Sequence, residues 1–227
     1  MKYNKIIPGK FISRPNRFIA NIEIDGICEV CHVKNTGRCR ELLVPGADVF
    51  VQMSDNPLRK TKYDLISVYK GNMLVNMDSQ APNKVFGEWI YNSGFFNNVT
   101  YVKPECRYNN SRFDYYIEAD GRKIFVEVKG VTLENGGVVS FPDAPTERGI
   151  KHLNELSNAV QEGYDAYVFF IIQMENCSYF TPSRTNHPEF ADALKNAFES
   201  GVKIKALKCK VTDELLLADS FVEVKIC

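Results

Sequence analysis

The sequence predicts an α/β chain of two domains, a small β-barrel over residues 1–80 and an α/β domain over residues 81–227. Two observations predict this division. Short strand-like runs separated by turn residues fill the first part, and no long helical period occurs there. After SQAPNK (79–84) helix signals alternate with apolar runs. A chain of 227 residues is long enough for either one large domain or two small ones, so the change of period decides the boundary.

The first domain reads as a succession of short strands. FIANIEIDGICEVCHV (18–33) alternates around Asp25-Gly26, a dipeptide that strongly predicts a two-residue hairpin turn. ADVFVQM, DLISVYK and NMLVNMD follow, each bounded by turn residues. Residues 1–80 carry 12 lysines and arginines against 8 aspartates and glutamates. About five short strands in 80 residues with a basic balance are typical of an OB-like β-barrel, although other small barrels fit nearly as well.

The second domain alternates helices and strands. Thr146 is the expected N-cap of its longest helix, and Gly163 follows the end of that helix. AYVFFIIQM is a continuous apolar run, typical of a strand buried on both faces. The predicted elements are helices over 85–94, 146–161 and 188–201, a hairpin around Asp120-Gly121, and strands over 166–174, 203–211 and 221–227.

Composition indicates an ordinary globular protein, with 44% apolar and 25% charged residues. No apolar run approaches the roughly 20 residues that cross a bilayer, so no membrane partner is expected. Pro8 comes early and no long apolar segment precedes it, which predicts no signal peptide and a cytoplasmic location. The seven cysteines are odd in number and scattered, which favours reduced thiols over disulfides.

The hairpin FDYYIEADGRKIFVEVKG (113–130) contains charges where apolar residues should pack. If Asp120-Gly121 is a two-residue turn, Asp114 lies directly opposite Glu127, and Lys129 shares the face of Glu127. Opposed side chains have Cβ atoms about 4.5–5.5 Å apart. Two buried carboxylates at that distance repel, so either one is protonated or a cation lies between them.

A divalent metal ion held by Asp114, Glu127 and the carbonyl group of Val128 would satisfy this pair, and oxygen ligands favour Mg²⁺ or Mn²⁺. Such an ion would lower the pKa of a bound water and stabilise charge on a phosphodiester. Lys129 would position or activate the nucleophile. Glu88, on the preceding helix, is a further candidate metal ligand.

The alternative is an ordinary exposed hairpin with Glu127 and Lys129 on its solvent face. The pentapeptide FVEVK recurs at 221–225, where no hairpin supplies an opposed aspartate and no glycine follows. Arg148, Lys151 and His152 lie on one side of the predicted helix at 146–161, away from its leucines. They form either a phosphate site beside the carboxylates or a solvated face.

Basic residues of the first domain are candidates for nucleic-acid contacts. The predicted turn Asn35-Thr36-Gly37 presents arginines on either side of Cys39. The candidate phosphate contacts are Arg14, Arg17, Lys34, Arg38 and Arg40. Phe11, Phe18 and Tyr63 are either base-stacking or core residues. The CxxCH run at 28–32 is not expected to bind haem or zinc, because strand alternation points Cys28 and Cys31 to opposite faces.

An aspartate and an E-x-K tripeptide on adjacent strands, with a glutamate on an upstream helix, resemble the PD-(D/E)XK nuclease site. Phe113 stands where that motif has proline. HVKNTGRCRELLVPG, SRFDYYIE, FVEVKGVTL and FPDAPTERGIKHLNEL resemble the sugar fermentation stimulation protein (SfsA) family over essentially the whole chain. The resemblance implies an OB-like domain followed by a PD-(D/E)XK nuclease-like mixed sheet flanked by helices.

The resemblance further implies DNA binding and a link to the regulation of sugar utilisation. The predicted function is therefore a DNA-binding protein with a nuclease-like metal site able in principle to hydrolyse phosphodiesters. In that function Asp114, Glu127 and Lys129 are catalytic and Arg148 contacts phosphate. Two alternatives stay open: a non-catalytic DNA-binding regulator, and a nucleotide or small-ligand binder that uses the same pocket.

Overall fold

Two β-sheets follow one another along the chain and confirm the predicted α/β class. The structure, a computed structural model, describes residues 1–35 and 37–226, so Thr36 of the predicted turn and Cys227 of the last predicted strand lie outside it. The first sheet contains β1 (Ile6–Asn16), β2 (Ile19–Ile24), β3 (Ile27–Val33), β4 (Asp48–Met53), β5 (Tyr63–Lys70) and β6 (Met73–Asn76). The second contains β7 (Val99–Tyr108), β8 (Ser111–Ala119), β9 (Arg122–Val131), β10 (Leu133–Asn135), β11 (Val138–Phe141), β12 (Asp165–Ile172), β13 (Tyr179–Pro182), β14 (Lys203–Val211) and β15 (Leu216–Val224).

The first sheet is a closed barrel. Its order is β3-β2-β1-β4-β5-β6, and β3 also pairs with β5 in parallel, which closes five strands on themselves. The predicted β2–β3 hairpin turns at Asp25 and Gly26, both with positive φ, as a type I′ turn requires. The OB-like barrel is therefore confirmed. β1 escaped prediction because Pro8 and Pro15 interrupt its alternation.

The second sheet is mixed and has the order β10-β11-β13-β15-β14-β12-β9-β8-β7. Helix α1 (Ala81–Asn92) packs in one apolar cluster with the Tyr167, Phe169 and Ile171 side of β12. Helices α2 (Glu147–Gln161) and α3 (Pro188–Glu199) belong to a second cluster with the other side of that strand. β12 is thus buried on both faces, as its continuous apolar run predicts.

Helix ends follow local capping chemistry. Thr146 caps α2, and its hydroxyl accepts a hydrogen bond from the Gly149 N–H at 3.1 Å. α1 begins at Ala81, four residues earlier than predicted, because Pro82 fits the first turn, where its missing N–H costs nothing. None of the three described helices is both long and apolar enough to cross a membrane.

A buried polar seam joins the two sheets. The side-chain amide of Gln173, which is 1% exposed, donates to the Asn76 carbonyl at 3.1 Å, to Asn76 Oδ1 at 2.9 Å and to the Asp78 carbonyl at 3.1 Å. The start of the chain also reaches the second sheet, since Lys2 bridges Leu215 and the Tyr3 N–H donates to the Glu214 carbonyl. The division at residue 80 stays a prediction, and the first three residues lie against the second domain.

Asp64 of β5 is a buried carboxylate surrounded by basic side chains of the barrel. It is 6% exposed and lies within 3.5 Å of donors on His32, Lys34 and Arg59. Burial alone would raise its pKa, but the Arg59 hydrogen bonds and the Lys34 charge outweigh burial and lower the pKa. A carboxyl group with a lowered folded-state pKa stabilises the fold above its unfolded pKa, and this stabilisation is lost as the pH falls through the folded pKa.

We therefore expect Asp64→Asn to lower the free energy of unfolding by about 2 kcal/mol near pH 7, because three donors lose an ionised partner. The deficit should shrink as the pH falls below about 4, the ordinary value for aspartate. Urea unfolding at several pH values measures both effects. The control is Asp48→Asn, whose exposed pair with Lys10 contributes about 0–1 kcal/mol. A deficit that is independent of pH contradicts the assignment.

Candidate metal and active site

The hairpin that carries the candidate carboxylates has the predicted register. Pairs run from Ala119–Arg122 at the turn to Tyr115–Val126. In the described chain this ladder ends there, one pair before Asp114 would face Glu127. Phe113 instead packs near His152 of α2, and Asp114 Oδ2 accepts a hydrogen bond from the Val128 N–H at 2.7 Å. The direct cross-strand pair is therefore replaced by a side-chain contact with the same segment of β9.

Asp114 is held from two elements. Besides the Val128 N–H, the Asn83 side-chain amide of α1 donates to Asp114 Oδ1 at 2.9 Å. Burial, and next the charge of Glu127, raise the pKa of Asp114, while the Val128 N–H and Lys129 act in the opposite direction. The negative charge of Glu127 thus disfavours ionisation of Asp114, although the two residues are not a directly opposed pair. Asn83 was not singled out from sequence, since an asparagine in the first turn of a helix carries no specific signal.

Glu127 is the most deeply buried acid of the site, with 3% exposure. Its Oε1 atom lies 2.5 Å from Lys129 Nζ and 2.5 Å from His152 Nδ1. Burial would raise its pKa, but the hydrogen bond from His152 and the charge of Lys129 outweigh burial and lower it. Its Oε2 atom is buried and has no hydrogen-bond partner among the described residues. A buried acceptor left free costs about 1–3 kcal/mol, so the site favours an incoming cation or donor.

His152 connects Glu127 to the surface of α2. The Arg148 Nε–H donates to His152 Nε2 at 3.4 Å, which makes Nε2 the acceptor and assigns the proton to Nδ1, facing Glu127. His152 is only 5% exposed, so it does not belong to a solvated face. Outer hydrogen bonds of this kind fix the orientation of a metal-binding side chain. α2 therefore holds Glu127 Oε1 in place and leaves Oε2 free.

Glu88 lies apart from this pair. Its carboxylate accepts a hydrogen bond from the N-terminal ammonium group of Met1 at 2.6 Å. The α1 residue that reaches Asp114 is Asn83, more than one turn earlier. Among residues 1–35 and 37–226, no group of three histidine, cysteine, aspartate or glutamate side chains is placed to hold one ion. Glu88 is thus paired with the N-terminal ammonium group, and its role as a third carboxylate ligand stays a prediction.

The donor set that remains fits a small hard cation. Mg²⁺ commonly takes one or two carboxylates and fills its other positions with water and phosphate oxygens. Each carboxylate oxygen has two acceptor positions, so Asp114 can keep its hydrogen bonds to Asn83 and Val128 and still accept a metal ion. Glu127 Oε2 is a second available oxygen. Asp114 and Glu127 are the residues that would hold the ion.

Gly130 explains why the motif ends in glycine. A Cβ atom there would lie 2.6 Å from Gln173 Oε1 and 2.7 Å from Pro82 Cγ, so β9 passes the start of α1 only without a side chain. The second copy of FVEVK lies at the end of β15 and extends one residue past it, and both Glu223 and Lys225 are exposed. The two copies therefore occupy different environments, and the repeat is not a second site.

The predicted basic residues of the barrel divide into two groups. Arg14 donates through its guanidinium group to the backbone carbonyls of Asn35, Gly37, Arg38 and Arg17, so it holds a loop together. Lys34 is paired with Asp78 at 3.1 Å. Arg17, Arg38 and Arg40 are exposed, and Arg17 lies over the half-exposed ring of Phe18. Phe11 and Tyr63 are core residues, and Cys28 is exposed while Cys31 is buried. Nucleic-acid contacts by the exposed arginines stay a prediction.

Two family profiles match the chain. The SfsA N-terminal OB domain matches residues 12–77, and the sugar fermentation stimulation protein RE domain matches residues 80–215. The chain belongs to the SfsA family. A sugar fermentation stimulation protein homolog of Desulfitobacterium hafniense (strain Y51) is 62% identical over 226 residues and is aligned over 99% of its length, covering 100% of this chain. The homolog from Clostridium beijerinckii is 59% identical over 224 residues, and the alignment covers 99% of each chain.

A solved SfsA structure has the same architecture. SfsA of Pyrococcus furiosus, determined in complex with Ca²⁺, superposes with a TM-score of 0.91 at 30% identity, covering 100% of this chain and 98% of that one. The agreement extends over both sheets, so the SfsA resemblance predicted from sequence is confirmed in family and in fold. The family name links the chain to sugar fermentation stimulation.

Proposed function

We propose that this SfsA protein binds DNA and hydrolyses phosphodiester bonds with a divalent metal ion held by Asp114 and Glu127. The observation that carries the proposal is the Oε2 atom of Glu127, which is buried without a hydrogen-bond partner in the described chain, beside the half-buried carboxyl group of Asp114. A dication at this point would satisfy the free oxygen and neutralise two neighbouring negative charges. The Ca²⁺ complex of the Pyrococcus furiosus protein supports it, since Ca²⁺ and Mg²⁺ both prefer oxygen ligands.

The chain's own groups supply position and charge. Asn83 and the Val128 N–H fix the Asp114 carboxylate, and His152 fixes Glu127 Oε1. Lys129 Nζ, beside Glu127, can donate a hydrogen bond to a phosphate oxygen or hold the attacking water. A bound Mg²⁺ or Mn²⁺ ion would lower the pKa of a water ligand and stabilise the negative charge that develops on the phosphate.

The second candidate is a DNA-binding regulator in which the carboxyl pair is structural. One observation favours it: three of the four carboxylate oxygens of Asp114 and Glu127 already have partners within the protein. The two candidates share DNA binding and differ only in catalysis. A nucleotide or small-ligand binder using the same pocket differs from both in not retaining DNA.

The effect of metal ions on cleavage and on DNA binding distinguishes the three candidate functions. End-labelled single-stranded and duplex DNA is incubated with Mg²⁺, Mn²⁺, Ca²⁺ or EDTA, and thermal unfolding is followed with each ion alone. We expect cleavage with Mg²⁺ or Mn²⁺, none with EDTA, and stabilisation of about 1.4 kcal/mol at an ion concentration of about ten times Kd. DNA binding without cleavage in any metal supports the regulator. Absence of DNA binding supports the small-ligand protein.

A further inference from the structure

A groove on the second domain is bounded by cations and neutral polar groups. It has a volume of about 480 Å³, and its charged lining residues are Arg107, Arg112, Arg148 and Lys151. No aspartate or glutamate of the described chain lines it. All four cationic side chains belong to exposed residues. The sequence predicts Arg148 as a nucleic-acid contact and leaves Lys151 between a phosphate site and a solvated face, whereas Arg107 and Arg112 carry no such prediction.

Two elements build the groove and bring like charges together. Arg107 and Arg112 face each other as a pair in the β7–β8 ladder, next to the turn at Asn109–Asn110. Like charges directly opposite on neighbouring strands destabilise a sheet. The Glu105 carboxylate lies 3.4 Å from Arg112, but both side chains are more than half exposed, so this pair contributes little. The arrangement costs the folded protein free energy that an anionic ligand would recover.

Helix α2 closes the other side. Lys151 Nζ donates to the Asn110 carbonyl at 2.7 Å and thereby holds the turn against the helix. The Ser111 hydroxyl at the wall is buried and has no hydrogen-bond partner in the described chain, and Ser111 is 7% exposed. It is an unused donor beside the four cations.

The inner end of the groove reaches the candidate site. His152 lines the groove, receives the Arg148 Nε–H bond and faces Glu127 through Nδ1. A ligand in the groove therefore lies one side chain away from the Asp114–Glu127 pair.

We propose that this groove binds the phosphodiester backbone of a DNA strand and guides it to the Asp114–Glu127 pair, an inference that rests on the proposed function. Arginine guanidinium groups bind phosphate oxygens in pairs of parallel hydrogen bonds. Phosphate contacts release counterions, so each cation in contact with the backbone adds about 0.7–0.9 to the slope of log K against log salt concentration.

The test is the double variant Arg107→Ala/Arg112→Ala, with fluorescence anisotropy of labelled single-stranded and duplex DNA in EDTA over about 50–200 mM salt. We expect about tenfold weaker binding and a slope smaller by about 1.5, as two lost phosphate contacts require. The control is Arg122→Ala/Lys123→Ala, two exposed cations at the start of β9, next to the opposite end of β8. Binding should stay within about twofold of the wild type because these cations line a different surface. The groove variant should melt no lower than the wild type, since an opposed pair of like charges is removed.

The outcomes distinguish this inference from the proposed function. Equal weakening by the groove and control variants, or no DNA binding by the wild type, overturns the groove. Displacement of the DNA by inorganic phosphate at similar concentration also overturns it, because the site would then bind single phosphate groups. Binding that depends on the groove without cleavage in any metal upholds the groove and rejects the phosphodiesterase. Metal-dependent cleavage that is the same in the double variant and the wild type upholds the phosphodiesterase and rejects the groove.

Discussion

Asp114→Asn and Glu127→Gln are each expected to lower metal-dependent DNA cleavage on the order of 10³-fold. Each substitution keeps the size of the side chain and removes one negative charge from the proposed metal site. Asp114 is positioned by Asn83 and Val128, and Glu127 by Lys129 and His152. Each carboxylate is held in its own place, so neither can take over the other's role as a metal ligand. Stabilisation by Mn²⁺ should disappear together with cleavage.

The chain offers a matched control for this experiment. Glu223→Gln makes the same change within the second copy of FVEVK, where the glutamate is exposed on β15, and cleavage should be unaffected. DNA binding in EDTA should be retained by all three variants, because the charges removed are not phosphate contacts. Cleavage by Asp114→Asn at close to the wild-type rate contradicts a metal site at this pair.

Gln173→Met is expected to lower the free energy of unfolding by about 2 kcal/mol, because the two N–H donors of a buried amide are lost. Asn76 Oδ1 and the Asp78 carbonyl keep the hydrogen bonds that they accept from the N–H groups of Asp78 and Ala81. The side chains are similar in length, so the change removes hydrogen bonds with little change in packing. The acceptors belong to Asn76 and Asp78, where the barrel passes into the second domain. The loss should therefore weaken the connection between the two sheets as well as the fold.

Urea unfolding monitored in two ways measures this effect. Trp89, the one tryptophan of the sequence, lies on α1 and reports on the second domain, while far-UV circular dichroism reports on both. We expect the two transitions to separate in the variant. Gln161→Met, the same change at an exposed position, should alter stability by less than about 0.5 kcal/mol. A loss below about 1 kcal/mol for Gln173→Met rejects the seam as a main contribution to stability.

The parts of the site that depend on local sequence were predictable. The Asp120-Gly121 turn fixes the register of the pairs from Ala119–Arg122 to Tyr115–Val126. The alternation of β9 then places the side chains of Glu127 and Lys129 on one face. The predicted direct pairing of Asp114 with Glu127 was wrong, because the hydrogen-bonded ladder ends one pair before it. A register extrapolated from a turn is reliable only as far as the two strands remain paired.

Contacts between distant elements were not predictable. His152 lies next to a leucine of the α2 stripe, and sequence alone does not tell whether such a boundary residue is buried or solvated. Glu88 and Asn83 are both polar residues of α1, and only the packing of that helix decides which one faces β8. In the sequence Arg14 cannot be told from an exposed surface arginine, yet its guanidinium group donates hydrogen bonds to four backbone carbonyls.

Lys2 and Tyr3 contact residues 214–216, so the chain is attached to the second domain both before and after it forms the barrel. A domain on one linker can swivel, but two anchor points on one neighbour remove most of that rotation. The orientation of the barrel relative to the second sheet is therefore nearly fixed. Under the proposed function, a DNA that contacts both domains therefore meets one rigid surface, because the barrel cannot swing to close around it.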